Sequence, residues 1–253
     1  MNPWVVCPEP RPGHRIRLFC FSYAGGGASL FRTWPRDLSP DIEICAIQLP
    51  GRESRLTEAP YAEMAPLVDM LSAKIGPILD RPFAFFGHSM GALVSFELAR
   101  SLRRRSNLSP LHLIVSGRGA AHRSPRVVVD HRLPTDEMIG ALRRLDGTPE
   151  EVLGNRELME LVLPTIRADF AVCGTYAYRH EPPLACPITA FGGRKDPHVS
   201  IGDLAAWRTQ TTGPFSLRTF EGGHFFVRDA RTSVLRAVQQ TLSLAPMPIA
   251  AAA

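Results

Sequence analysis

The sequence is poor in cysteine, and no two of its cysteines stand at the C-x-x-C spacing. A structural zinc site needs closely spaced ligand pairs, and a disulfide framework needs an even set of cysteines. The five cysteines present are Cys7, Cys20, Cys45, Cys173 and Cys186. Cys20 and Cys45 lie within strand-like apolar runs, where a thiol packs as a small hydrophobic group. The sequence therefore predicts neither a disulfide scaffold nor a metal site.

Long apolar runs are also absent. No stretch approaches the ~20 apolar residues that a membrane-spanning helix requires. The first residues, Trp4 to Cys7 followed by three prolines within five positions, have neither the basic start nor the apolar stretch of a secretion signal. We therefore expect a cytoplasmic protein with no membrane partner.

Lysine is scarce, although the chain is basic. Only Lys74 and Lys195 are lysines among 29 basic residues, and the formal net charge is +5. A basic surface can attract an acidic protein or a nucleic acid, but a solvated arginine-rich surface has the same composition. The densest run, residues 103–105, falls at the end of a predicted helix, where cations complement the helix dipole. We therefore predict no nucleic-acid partner.

Short apolar runs alternate with helical patterns along the 253 residues. This alternation is typical of a parallel sheet with crossover helices, and continuously apolar runs are typical of strands covered on both faces. The predicted strands are residues 16–21, 42–49, 83–86, 111–116, 188–191 and 215–220. The sequence thus predicts a single α/β domain over residues 1–253, with a mostly parallel central sheet flanked by helices.

Helices are predicted near residue 31 and over residues 61–79, 90–105 and 231–242. From about residue 122 to 180 the strand pattern stops, and the sequence reads as several short helices. These include residues 136–145 and 155–178, and Pro164 is expected to kink or split the second. Because an insertion of this length is too long for a plain loop, we predict a helical lid over one end of the sheet. Residues 245–253, rich in Pro and Ala, predict a loose tail.

The most informative motif is G-x-S-x-G at residues 87–91, between a predicted strand and a predicted helix. This arrangement is the nucleophile elbow of α/β-hydrolases. Gly87 and Gly91 keep the tight turn free of side chains, and the turn raises the Ser89 hydroxyl above the sheet at a helix N-terminus. The sequence therefore predicts a serine hydrolase of the α/β-hydrolase fold with Ser89 as nucleophile.

A serine hydroxyl needs a base, and in this fold the partners follow in the order Asp or Glu, then His. Asp196 follows the fifth predicted strand, and His224 follows a diglycine after the sixth. Both therefore leave the carboxyl ends of strands, where such sheets build their sites. We predict His224 as general base and Asp196 as the residue that orients it. Asp203, a turn into the next helix, and Asp169, in the lid, are weaker alternatives.

Two further histidines stand close to these residues in the sequence. His88 lies inside the elbow, and its ring is expected to point away from Ser89, which favours a packing role. His198 follows Asp196 by two residues, and we expect it to line the rim of the site.

An oxyanion hole requires two N–H donors. The residue after the nucleophile supplies one, here the backbone of Met90, and a loop after an early strand supplies the other. That loop is residues 21–27, whose glycines let the backbone approach a substrate closely, and we predict Ala24 as the donor. The alternative, a phosphate-binding glycine loop, lacks both the GKS/T and the G-x-G-x-x-G pattern.

Together, several segments resemble the type II thioesterases, the stand-alone editing enzymes of polyketide and non-ribosomal peptide synthesis. The family's F-P-[HY]-A-G-G, Q-x-P-G-R-E and G-H-S-M-G are similar to residues 21–26, 48–53 and 87–91. Its L-P-x-[IL]-R-A-D-F, G-G-x-x-D-P and G-G-H-F-F are similar to residues 163–170, 192–197 and 222–226. The likeness runs from about Trp4 to Leu242. Ser22 stands where the family has proline, a change expected to loosen the oxyanion loop and leave the triad intact.

The resemblance implies hydrolysis of acyl groups from the phosphopantetheine thiol of acyl or peptidyl carrier proteins, which clears stalled or mis-primed carriers. It implies that Ser89 forms an acyl-enzyme, which water activated by His224 releases as a free acid. Because the phosphopantetheine belongs to the substrate, we expect no cofactor, and we expect a monomer. Carrier proteins are generally acidic, which suits an arginine-rich rim.

The same resemblance implies that the lid covers the acyl chain. Candidate substrate-binding residues flank the site or lie on the lid: Tyr23, Phe225, Leu158, Leu161, Val162, Ile166 and Phe170. Ordinary packing of the lid onto the core explains each lid residue equally well. We expect short acyl groups such as propionyl and butyryl to be accepted with low selectivity.

Without the resemblance, the sequence indicates only an acyl-transfer hydrolase. A carboxylesterase or lipase would use the same three side chains, and so would a medium-chain fatty acyl carrier thioesterase. A cyclase or acyltransferase would pass the acyl group to a nucleophile other than water. The alternative of another class is a catalytically inactive carrier-binding protein, against which the intact Ser89, Asp196 and His224 argue.

Overall fold

The computed structural model describes residues 2–126 and 129–243. The predicted tail, residues 245–253, lies outside these described residues. The strands are β1 (Val5–Val6), β2 (Ile16–Phe21), β3 (Ile42–Ile47), β4 (Phe83–His88), β5 (Leu113–Ser116), β6 (Ile188–Gly193) and β7 (Phe215–Phe220). They form one sheet in the order β1-β3-β2-β4-β5-β6-β7, in which β1 alone is antiparallel to its neighbour. The prediction of a mostly parallel sheet flanked by helices is confirmed.

The α-helices are α1 (Met64–Ile75), α2 (Met90–Ser106), α3 (Thr135–Leu145), α4 (Glu150–Leu153), α5 (Arg156–Gly174), α6 (Ile201–Ala205), α7 (Phe226–Asp229) and α8 (Arg231–Ser243). Short 3-10 turns follow β2 at Ala28–Phe31 and Trp34–Asp37. Among the described residues, no helix has both the length and the apolar character needed to cross a membrane.

Alternate residues of each central strand enter two separate cores. In β4, Phe83 and Phe85 belong to the cluster that packs under α1 and α2, whereas Ala84 and Phe86 belong to the cluster under α8. This division follows from the strand geometry, which points successive side chains to opposite faces of the sheet. Because β4 is buried on both faces, its carboxyl end, where Ser89 follows, is held in a fixed position.

The lid lies between β5 and β6 and consists of α3, α4 and α5. These helices share a small apolar core of their own, made of Met138, Leu142, Leu153, Met159, Leu163 and Ile166. Fully burying an aliphatic side chain of this kind stabilises by about 1.5–3 kcal/mol. The lid therefore has its own packing and does not depend on the sheet for all of its stability.

Pro164 was predicted to kink or split its helix, and it does not split α5. Helix α5 continues from Arg156 to Gly174 with Pro164 inside it. A proline removes the hydrogen bond to the carbonyl group four residues earlier, which belongs to Glu160. Both Pro164 and Glu160 are exposed, so water can satisfy that carbonyl group.

Candidate active site

Ser89 occupies a strained turn between β4 and α2. Its φ of 54° and ψ of −114° lie in a region that non-glycine residues rarely adopt. The turn leaves no room for side chains, because a Cβ on Gly87 would lie 2.2 Å from the carbonyl oxygen of Gly91, and one on Gly91 would lie 2.2 Å from that of Phe21. The Ser89 N–H donates to the carbonyl oxygen of Ser116 at 2.7 Å, which fixes the turn to β5.

Asp196 and His224 reach Ser89 from the loops that follow β6 and β7, the two strands beyond β5 in the sheet. The Nε2 atom of His224 lies 3.0 Å from Ser89 Oγ, and its Nδ1 atom lies 2.7 Å from Asp196 Oδ2. The other carboxylate oxygen of Asp196 accepts the His198 N–H at 2.8 Å. The Asp196 side chain is 1% exposed, so the imidazole covers it from solvent. A serine, an imidazole and a carboxylate in this sequence of hydrogen bonds can activate the hydroxyl for acyl transfer.

The loops that carry these residues are fixed to each other. The N–H of Lys195 donates to the carbonyl oxygen of Gly222 at 2.9 Å. Gly193 passes so close to the second loop that a Cβ there would lie 2.2 Å from the carbonyl oxygen of Gly223. Gly222 has a φ of 108°, which other residues adopt only with strain. The diglycine pair that ends β6 and the pair that follows β7 thus bring Asp196 and His224 into contact.

Two further histidines flank His224. His88 is fully buried, its Nδ1 atom lies 2.9 Å from Ser116 Oγ, and its ring centre is 5.4 Å from that of His224. Burial, and after it the neighbouring His224, holds the pKa of His88 well below its usual value, so this ring is neutral. His198 lies 5.6 Å from His224, and burial lowers its pKa as well. Two neutral rings beside His224 add no charge that would compete with Asp196.

Ala24 and Met90 line the same cavity as Ser89. Met90 is the first residue of α2, where an N–H has no intrahelical acceptor. Within residues 2–126 and 129–243, neither of these two N–H groups donates to a protein acceptor. Both are therefore available to an oxyanion, the function that the sequence predicts for them.

A cavity of about 130 Å³ opens above Ser89 and His224. Its apolar wall comes largely from the lid and includes Val129, Leu142, Leu145, Phe170 and Cys173. Burial raises the pKa of the Cys173 thiol, which therefore presents a neutral group. Tyr23 and Phe225 also line the cavity, with ring centres 5.0 Å apart. The apolar wall can hold a short acyl chain next to the serine.

Four of the predicted acyl-binding residues do not line this cavity. Leu158 and Leu161 are 41% and 51% exposed, and they lie on the solvent side of α5. Val162 packs against the lid core, and Ile166 belongs to it. The prediction was wrong for these four because only the C-terminal end of α5, with Phe170 and Cys173, reaches the cavity.

The alternative acids lie elsewhere in the hydrogen-bond network. Asp203 caps α6 by bonding to Ser200 and also accepts from Arg126 at 3.0 Å. Asp169 is paired with Arg52.

Sequence reasoning missed three arginines in the cavity wall, Arg118, Arg123 and Arg126. The sequence pointed to them only through its general excess of arginine, which does not indicate which arginines surround the site.

Among the described residues, one group has potential metal ligands within 4.8 Å of one another: Cys7, Glu43 and Cys45. It lies where β1 meets β3, away from Ser89. The Glu43 carboxylate already accepts from Arg17 Nε at 2.9 Å and from the Arg11 N–H at 3.0 Å. This acid is therefore engaged as the counter-ion of an arginine.

Comparison with known proteins extends this picture. A model of the thioesterase domain matches residues 16–242, a range that contains Ser89, Asp196 and His224. The gramicidin S biosynthesis protein GrsT of Aneurinibacillus migulanus is 45% identical over 248 residues, which cover 98% of this chain and 97% of that protein. The medium-chain S-acyl fatty acid synthase thioesterase of Homo sapiens is 32% identical over 228 residues, covering 88% of this chain and 85% of that protein.

The similarity extends to solved structures. The type II thioesterase BorB from the borrelidin biosynthetic cluster aligns with a TM-score of 0.87 at 37% sequence identity. The alignment covers 94% of this chain and 97% of BorB. Because the alignment covers 94% of this chain, it includes the lid helices as well as the sheet.

Proposed function

The chain belongs to the thioesterase family, and we propose that it hydrolyses acyl thioesters on the phosphopantetheine arm of acyl or peptidyl carrier proteins. As a serine hydrolase it would remove stalled or aberrant acyl groups during polyketide or non-ribosomal peptide synthesis. The observation that carries the proposal is the 3.0 Å contact between His224 Nε2 and Ser89 Oγ inside an acyl-sized cavity. The likeness to BorB, a type II thioesterase, and to GrsT, a peptide biosynthesis protein, supports the editing role.

The proposed reaction uses only groups of this chain and water. Ser89 Oγ attacks the thioester carbonyl carbon while His224 Nε2 takes the hydroxyl proton. The amide groups of Ala24 and Met90 donate to the oxyanion of the tetrahedral intermediate. The C–S bond then breaks, and His224 returns the proton to the leaving thiolate. A water molecule, deprotonated by His224, attacks the acyl-enzyme, and the carboxylic acid leaves as Ser89 recovers its proton.

The size of the cavity favours a short acyl group. An apolar cavity of about 150 Å³ accommodates one benzene molecule. The cavity above Ser89, at about 130 Å³, is comparable and fits a propionyl or butyryl chain. Because Val129, Leu142, Leu145 and Phe170 form an apolar part of its wall, we propose that the acyl chain lies against them and is selected by its length.

The charges around the cavity suit an acidic carrier protein. Arg123 and Arg126 line the cavity wall with side chains that are 55% and 57% exposed. They share a single acid, Asp203, at 3.9 Å and 3.0 Å, which leaves one positive charge in excess. Opposite charge on a partner would speed its approach and orient it. The phosphopantetheine arm comes with that partner, so the proposal includes no cofactor of the enzyme.

A panel of matched butyryl substrates tests this function. The butyryl group is presented on a holo-carrier protein, on a small thiol and as an oxygen ester of similar size. We expect kcat/KM to be highest for the carrier and lowest for the oxygen ester, with a free acid as product by mass spectrometry. A preference for the oxygen ester would contradict the thioesterase proposal, and a cyclised or transferred product would indicate acyl transfer to another nucleophile.

A medium-chain fatty acyl carrier thioesterase is the second candidate, because the human relative is such an enzyme. The cavity volume argues against it, and the Phe170→Ala variant tests that argument. Removing the ring from the wall should raise kcat/KM for an octanoyl relative to a butyryl thioester by about tenfold, since a methylene in an apolar pocket is worth about 1–3 kcal/mol. The ratio is measured by competition between the two substrates on one carrier.

Leu161→Ala is the matched control, because it shortens an apolar side chain of the same helix that is 51% exposed. Its octanoyl-to-butyryl ratio should equal that of the unaltered protein. A preference for octanoyl already in the unaltered protein would favour the second candidate and contradict the short-chain proposal.

A further inference from the structure

Arg52 and Asp169 form a buried ion pair between the lid and the core. Asp169 lies on α5, and its two oxygens accept from the two terminal nitrogens of Arg52 at 2.7 Å and 2.8 Å. Arg52 is 6% exposed and Asp169 2%. A bidentate pair of this kind is strong and also fixes the geometry of both partners. It therefore sets the position of α5 relative to the segment that contains Arg52.

The pair also holds the loop that contains Ala24. Asp169 Oδ2 accepts the Gly25 N–H at 2.7 Å, and Arg52 donates to the carbonyl oxygen of Gly26 at 3.1 Å. Gly25 has a φ of 78°, and a Cβ there would lie 3.2 Å from Ile166 of the same helix. The peptide that follows Ala24 is thus tied to the lid by a charged hydrogen bond and by close packing.

A purely structural role explains this arrangement poorly. Desolvating two charges offsets most of their attraction, and apolar residues of similar volume often stabilise a fold equally well. What distinguishes the pair is its orientation, because Arg52 holds Asp169 with one carboxylate oxygen on the Gly25 N–H. An oxyanion donor is effective only when it is already oriented before the charge develops.

We propose that Asp169 and Arg52 are positioning residues, which hold the Ala24 N–H in the orientation that stabilises the oxyanion. This proposal rests on the proposed function, in which Ala24 is an oxyanion donor. Neither residue lines the cavity or contacts Ser89. Helix α5 also presents Phe170 and Cys173 to the cavity, so one helix connects the acyl-binding wall to the oxyanion loop. Movement of α5 would therefore change the acyl-binding wall and the oxyanion loop together.

The Asp169→Asn variant tests the proposal, because it keeps an oxygen for Gly25 and removes the charge that orients Arg52. Removing a whole oxyanion donor lowers kcat about 10²- to 10³-fold, so misorienting one should lower kcat about 10- to 100-fold. We expect KM for a butyryl-carrier thioester to stay within about threefold, because the pair makes no contact with the acyl cavity. The rate is expressed per active site, counted by exhaustive labelling with a fluorophosphonate. Arg52→Lys keeps the charge but loses the bidentate geometry, and it serves as the second variant.

Glu58→Gln is the matched control. It removes the acid that pairs with another buried arginine of the same segment, Arg55, at 2.8 Å, with no contact to residues 24–26. Its kcat should stay within about twofold, as is usual for substitutions at exposed positions. A trifluoromethyl ketone analogue of the substrate, which forms a tetrahedral adduct, should bind Asp169→Asn more weakly by the same factor as kcat/KM falls.

The outcomes separate this proposal from the proposed function. If Asp169→Asn and Arg52→Lys only lower the melting temperature and keep kcat per active site within twofold of Glu58→Gln, the positioning role is wrong. The positioning role is also wrong if both variants bind the ketone as tightly as the unaltered protein does. If the unaltered protein then still hydrolyses the carrier thioester, the thioesterase function stands. A protein that fails to hydrolyse any thioester contradicts the function itself.

Discussion

Replacing Ser89 by alanine is expected to lower kcat for thioester hydrolysis by about 10⁴- to 10⁶-fold, the range measured when the nucleophile of a serine hydrolase is removed. The reason is the loss of the hydroxyl that lies 3.0 Å from His224 Nε2. His224 would then have no proton to accept and no acyl-enzyme would form. The rate is measured by the release of the carrier thiol, with circular dichroism to verify the fold.

Ser95→Ala is the matched control for this variant. Ser95 lies on α2, the helix that follows Ser89, is fully buried, and donates to the carbonyl oxygen of Ala92 at 3.1 Å. Its substitution should leave the rate within about threefold, because it removes one neutral hydrogen bond worth about 1 kcal/mol of stability. A fluorophosphonate probe should label the unaltered protein and Ser95→Ala but not Ser89→Ala.

The probe also separates the enzyme from an inactive carrier-binding protein. An inactive protein would bind the carrier and remain unlabelled in all three forms. Labelling that persists in Ser89→Ala would show that another residue is the nucleophile and would contradict the proposed mechanism.

The sequence predicts most of this fold because the central strands are buried on both faces. Such strands are mostly apolar, and β2 has the predicted bounds. β7 also has the predicted bounds, although it is an edge strand and is largely half-buried. β1 was missed because two residues carry no alternating pattern, and only pairing with β3 defines that strand. The short helices α4 and α7 were missed for the same reason, since four residues make about one helical turn.

The predicted active-site residues meet because each follows a strand, and the order of parallel strands decides which loops become neighbours. Local patterns of the sequence show that each residue follows a strand, whereas pairing between distant segments sets the strand order. The Arg52–Asp169 contact joins residues 117 positions apart and was not predicted. Both residues lie inside segments that resemble family motifs, but a motif does not say that two of its charged residues pair. Likewise, the spacing of apolar residues on α5 does not say which part of its length reaches the cavity.

The Asp196→Asn variant is expected to lower kcat about 10⁴-fold, as in serine proteases with the corresponding change. An asparagine would turn its amide NH₂ towards Nδ1 of His224, now 2.7 Å from a carboxylate oxygen. The imidazole would then carry its proton on Nε2, which faces Ser89 and could no longer accept the hydroxyl proton. KM should change little, because the Asp196 side chain lies beneath the ring and outside the cavity lining.

Asp229→Asn makes the same chemical change at an exposed position shortly after His224, and its kcat should equal that of the unaltered protein. Single-turnover measurement of acyl transfer to Ser89 tests the tautomer argument, because both acylation and deacylation use His224 as base. Both steps should slow in Asp196→Asn. A well-folded Asp196→Asn protein that loses less than about tenfold would mean that the orientation of His224 depends on other contacts. Its neighbours His88 and His198, both within 6 Å of it between ring centres, would then be the residues to replace next.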